Sequence, residues 1–119
     1  MGFSPEYRER VEAQLSKVVP IRTKAMFGGV GIYSDERFFA LIAEDKLYFK
    51  VGDLNREDYE KAGMEPFFPF DSPTPMGYYE LPESVFKRQK ELAAWVEKSL
   101  AVADAKKNSK KTQTNRKRG

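Results

Sequence analysis

At 119 residues, with 40% apolar and 13% aromatic side chains, the chain has material for one hydrophobic core and not for two. It contains no histidine and no cysteine, which together exclude histidine general-base catalysis, thiolate nucleophiles, disulfides and the common zinc sites. The net charge of +3 divides unevenly: residues 1–103 carry fourteen Lys or Arg against seventeen Asp or Glu, whereas residues 104–119 carry seven against Asp104 alone.

The N-terminal residues Met1 to Arg10 show no apolar run behind a basic start, and no stretch reaches the roughly eighteen consecutive apolar residues of a membrane span. Neither a signal peptide nor a membrane segment is expected, and the cytoplasm is the expected location. The first helix has a clear start. Ser4 suits the cap, Pro5 the first helical position, and Tyr7, Val11, Leu15 and Val18 recur at helical spacing until Pro20 turns the chain out.

Met26 to Val51 then reads as antiparallel sheet. A long first strand is expected from Thr23 to Tyr33, bent at Gly28-Gly29. Phe38 to Ala43 and Lys46 to Val51 follow, each entered through a short polar break. Asn55 with Asp58 resembles a capping box that opens a short second helix, and Gly63 supplies its stop. Met64 to Phe70 is too rich in proline for a central strand and reads as an edge; Asp71 to Pro75 is a loop and Met76 to Leu81 a further strand. A last helix is expected from about Ser84 to Ala105, with Leu92, Trp95, Val96, Leu100 and Ala103 on its buried stripe.

The element order α-β-β-β-α-β-β-α defines an α+β class: a two-layer sandwich with an antiparallel sheet and its helices on one side. Residues 1–105 form the expected domain. Residues 106–119 contain no apolar side chain and are expected to be a disordered basic tail.

Several of these segments, read in order, resemble the TfoX N-terminal-domain family over roughly residues 4–103. They are Met26-Phe27-Gly28-Gly29-Val30-Gly31-Ile32-Tyr33, Phe39-Ala40-Leu41-Ile42, Leu47-Tyr48-Phe49-Lys50-Val51, Ala62-Gly63-Met64-Glu65-Pro66-Phe67 and Met76-Gly77-Tyr78-Tyr79-Glu80-Leu81-Pro82. The resemblance implies a fold like that of type III secretion chaperones and a link to the regulation of natural competence, for which the family is named. It brings no catalytic residues. The named regulators carry a second, C-terminal domain where this sequence continues as a basic tail.

The glycines Gly28, Gly29 and Gly31 do not form a phosphate loop, because a strand rather than a helix N-terminus follows them. The acidic groups Asp35-Glu36, Glu44-Asp45 and Glu57-Asp58-Glu60 fall in hairpin turns or on a short exposed helix, and no metal or other cofactor is expected. Phe38, Tyr48, Phe67, Phe68, Phe70, Tyr78 and Tyr79, beside Lys46 and Lys50, offer either core or an aromatic sheet face for single-stranded nucleic acid or a protein. The tail residues Lys106, Lys107, Lys110, Lys111, Arg116, Lys117 and Arg118 are the candidate nucleic-acid contacts, suited to phosphates and indifferent to base sequence.

The leading expectation is a non-enzymatic regulatory or binding module, a monomer or weak homodimer, working through an unidentified protein partner with the tail as a non-specific nucleic-acid contact. Two alternatives stay open. One is a dimeric chaperone-like adaptor, and the other a small enzyme using carboxylate, lysine or tyrosine chemistry around Glu44, Lys46 and Tyr48.

Overall fold

The computed structural model describes residues 4–26, 28–67 and 77–116, with side chains through residue 105. Helix α1 spans Pro5–Ser16, and the Ser4 hydroxyl caps it by accepting the Tyr7 amide at 3.2 Å. Its stripe buries Val11 and Leu15 completely, and Tyr7, Val18, Val19 and Ile21 pack more loosely against the same core.

Five antiparallel strands follow, β1 Arg22–Met26, β2 Gly29–Ser34, β3 Arg37–Ala43, β4 Lys46–Lys50 and β5 Tyr78–Glu80, and they lie side by side in chain order. The expected α+β class and element order hold, and the details differ in instructive ways. The bend foreseen at Gly28-Gly29 is a complete reversal, so that the long first strand is the hairpin β1–β2. Gly28 takes φ +78°, a left-handed conformation that glycine adopts without strain. Gly29 answers a different need, because a Cβ there would stand 2.2 Å from the Ile42 carbonyl oxygen of β3. The turn acids Asp35, Glu44 and Asp45 also have positive φ, the left-handed region that two-residue hairpin turns use and that aspartate tolerates.

The sheet does contain an irregularity, displaced from the glycines. Ile32 pairs with Ala40 but Tyr33 pairs with Phe38, so Phe39 is an extra residue. This bulge reverses the parity of β3. Phe39 and Ala40 both enter the core, where Phe39 meets Phe49 edge-on at 5.6 Å, while Phe38 turns to the opposite face beside Tyr33.

Helix α2 spans Arg56–Lys61 and stops at Gly63, which takes φ +75° as expected. Asn55 does not cap it with its side chain. Fully buried, Asn55 instead clips the preceding turn, accepting from the Gly52 amide at 2.9 Å and donating to the Lys50 carbonyl at 3.1 Å. Of the expected edge strand Met64 to Phe70, a single bridge from Pro66 to Tyr79 forms; Phe68, Phe70, the 71–75 loop and Met76 lie outside the described residues.

The last helix divides into α3, Glu83–Phe86, and α4, Gln89–Arg116. At the break, the Gln14 side-chain amide donates to the Phe86 carbonyl at 2.8 Å, occupying an acceptor that a continuous helix would use itself. Leu92, Val96 and Leu100 of α4 complete the core against β3 and β4, and Ser99 donates to the Lys50 carbonyl at 2.9 Å. The helical path then continues to Arg116, past the boundary expected at Ala105. Lysine and glutamine are good helix formers, and no proline or glycine interrupts residues 106–116.

Tyr59 of α2 is fully buried between Tyr79 and Trp95, and its hydroxyl lies toward Ser99 without forming an aligned hydrogen bond. Two outcomes follow for urea unfolding. Gly29→Ala should cost about 1–3 kcal/mol, because the Ile42 carbonyl must move. Tyr59→Phe should change stability by no more than about 1 kcal/mol, since the hydroxyl it removes has no aligned partner.

Candidate interaction surfaces

The sheet face opposite the helices carries a row of side chains drawn from all five strands. The Arg22 guanidinium lies 4.8 Å from the centre of the Tyr33 ring, and Tyr33 stacks on Phe38 at 4.9 Å with 22° between planes. Phe38 meets Tyr78 at 5.7 Å, and the Lys50 ammonium stands 5.9 Å and 5.6 Å from those two rings. Tyr48 and Phe67 form a second pair at 4.8 Å. Phe38, Tyr48, Phe67 and Tyr78 therefore come together with Lys50, as one reading of the sequence expects.

Tyr79 does not join them. It turns to the helix side against Tyr59. Phe68 and Phe70 lie outside the described residues. Arg22 and Tyr33 are members that sequence reasoning missed, because their alignment with Phe38 depends on the bulge and not on any local pattern.

The row is poorly suited to stacking bases. A platform for single-stranded nucleic acid must present ring faces. Here Arg22 and Phe38 occupy the two faces of Tyr33, and Tyr78 is 6% exposed. Burial pushes the Tyr78 hydroxyl well above its ordinary range, with Tyr33 adding to the effect, and burial followed by Glu80 and Glu44 raises Tyr48. These are the environments of packed aromatics, and they join neighbouring strands through cation–π and ring contacts.

The candidate acids are dispersed. Asp45 accepts from the Ser4 amide at 2.6 Å, Asp58 pairs with Lys98 at 2.7 Å and Asp35 lies 3.5 Å from Arg37; Asp53, beside α2, likewise pairs with Arg56 at 2.8 Å. No group of three potential metal ligands occurs among the described residues. A shallow depression beside α1 is lined by Arg10, Gln14, Lys17, Phe86 and Lys87, away from Glu44, Lys46 and Tyr48.

The root of the basic segment is better defined. Asp104, the single acid in residues 104–119, pairs with Arg37 of β3 at 3.2 Å and so ties α4 to the β2–β3 hairpin. Lys106, Lys107, Lys110, Lys111 and Arg116 lie on the helical continuation of that root; Lys117 and Arg118 lie outside the described residues. Among the described residues, no helix is long and apolar enough to cross a membrane.

An α+β domain with one helix-covered sheet face, and without a convergent catalytic cluster among the described residues, defines the class. The family follows from comparison: residues 13–103 match the TfoX N-terminal domain, and the chain belongs to that family. A relative from Aliivibrio fischeri, described as DNA transformation protein TfoX1, is 26% identical over 110 residues, covering 91% of this chain. The chain spans about half the length of that relative, 53% of it. The family match ends just before Asp104 and the basic segment.

Burial raises the Tyr7 hydroxyl to about 12, with Glu83 contributing next and Arg10 opposing. Tyr59 and Tyr78 are raised further, also chiefly by burial. An unfolded tyrosine ionises near ~10, so the unfolded chain loses these protons first. The stabilisation is fully present below that pH and is lost as pH rises toward and through the folded-state values. Urea midpoints should hold up to about pH 9 and fall steadily above about pH 10, while phenolate absorbance of the folded protein lags behind that of the urea-unfolded chain.

Proposed function

We infer that this chain is a non-enzymatic regulatory module of the TfoX N-terminal type, acting in the cytoplasm through protein contacts. In this reading its basic segment adds a non-specific contact to nucleic acid. Membership of the family carries the regulatory part of the reading, and the name of the Aliivibrio fischeri relative connects it with DNA transformation. The absence of histidine and cysteine from the sequence, together with the dispersed, ion-paired acids, favours binding over catalysis.

The charge division supports the nucleic-acid part. Residues 104–119 gather seven cations next to a body of opposite net charge, and such a segment neutralises phosphates by releasing counterions. The body of the domain repels the same polyanion weakly, which confines the contact to the segment. Because no base-reading element accompanies the cations, affinity should not depend on sequence.

The test is binding of duplex DNA at several salt concentrations by the full chain and by a chain ending at Ala105. The full chain should lose affinity steeply with salt, by a slope of about −0.9 per phosphate engaged, and the shortened chain should show little binding at any salt. An unchanged, shallow salt dependence after truncation would remove the nucleic-acid part of the reading and leave the protein-binding part intact.

A further inference from the structure

We propose that the outer edge of β1 is a docking site for an extended acidic segment of a partner protein, which adds to the sheet as a sixth strand beside Arg22 and Lys24. This names the site and the kind of partner for the protein-binding module inferred above, and it rests on that reading.

The two ends of the sheet are finished differently. At the β5 end, residues 65–67 run alongside the strand: the Phe67 amide donates to the Tyr78 carbonyl at 2.7 Å, and the Glu80 amide donates to the Glu65 carbonyl at 3.2 Å. At the other end, β1 pairs through Arg22–Met26 with β2 alone, and no second strand partner occurs among the described residues. Among the described residues, its other row of backbone donors and acceptors carries no strand and can accept a ladder. The strand has no proline and no register shift to discourage pairing.

Side-chain chemistry selects the occupant. Arg22 and Lys24 are both exposed and lie two residues apart, on the sheet face away from the helices. Arg22 is held in place by the Tyr33 ring and by the Asp35 carbonyl at 3.4 Å, and pairs with no carboxylate among the described residues. Lys24 has no hydrogen-bond or ion-pair partner among the described residues. A strand added here would place alternate side chains beside these two cations, where carboxylates are favoured.

On the helix side the neighbours are Thr23 and Ala25. Thr23 donates to the Glu12 carboxylate at 2.8 Å and accepts from the Arg8 guanidinium at 2.9 Å, and Arg8 pairs with Glu12, so that side already balances a cation with an acid and gives a further acid no advantage. Ala25 is small and exposed and leaves room for an apolar side chain. The preferred segment therefore alternates acidic with uncharged or apolar residues. A second copy of this chain is a poor occupant, because antiparallel pairing of two β1 strands centred on Lys24 sets like charges opposite one another.

The experiment is a titration of the full-length protein with a seven-residue peptide alternating Glu with Val, followed by backbone amide shifts and hydrogen exchange. A peptide alternating Lys with Val serves as the control. The Glu peptide should slow exchange at alternate amides of β1 and leave β4 unchanged, and added salt should weaken it. The double variant Arg22→Glu with Lys24→Glu should bind the Glu peptide about tenfold more weakly and should now prefer the Lys peptide, while its dispersed spectrum reports an intact fold. That swap separates recognition from loss of structure.

Perturbation confined to residues 106–119, or to the Tyr33–Phe38–Tyr78 row, would overturn the edge site and leave the protein-binding reading in place. Concentration-dependent protection of β1 without peptide would assign the edge to a second copy and overturn the proposal. Failure of the Glu peptide to perturb the protein at all would do the same.

Discussion

The bulge between Ile32 and Tyr33 decides how the aromatic residues are divided between the two faces of the sheet. Strict alternation along β3 would send Phe38 inward with Ala40 and turn Phe39 outward. The extra residue reverses this, so that Phe39 fills the core against Phe49 and Phe38 joins Tyr33 on the far side. One irregular pair of residues thus supplies both a large core ring and the centre of the outer row. The row then links strands that have no helix above them on that face.

The same division gives the far face its packed character among the described residues. Its rings are turned toward one another and toward Arg22 and Lys50, leaving little aromatic surface for a ligand. Two cationic places stand apart from that row: the β1 edge, where Lys24 has no ionic partner among the described residues, and the root of the basic segment, where Arg37 holds Asp104. Both places are cationic, and they differ in geometry. One offers an ordered ladder of backbone groups with fixed spacing, and the other a helical continuation of α4 rich in lysine.

Much of this was legible from residue pattern. Ser4-Pro5, the spacing of Val11 and Leu15, the polar hairpin turns and Gly63 each act locally, and local chemistry is what a sequence states most directly. The misses depend on distant partners. Gly28-Gly29 reads equally well as a bend or a reversal until the Ile42 carbonyl is seen to exclude a Cβ at residue 29. Asn55 looks like a cap because a cap and a turn clip use the same amide, and only the Lys50 carbonyl distinguishes them. The break between α3 and α4 depends on Gln14, seventy-two residues away in sequence from Phe86. The candidate surfaces show the same pattern: the cations of the basic segment are visible as a charge run, whereas the β1 edge exists only once strand order is known.

The placement of Trp95, the chain's one tryptophan, has a practical consequence. Its indole meets the Tyr59 ring edge-on at 4.7 Å, at the junction where α2, α4 and Tyr79 of β5 come together. It is remote in the chain from β1 and precedes the basic segment on the same helix, α4. Its emission is thus an intrinsic optical gauge of whether α4 is seated on the sheet. Substitutions at either cationic end can be followed by fluorescence without attaching a dye, because neither end supplies the light.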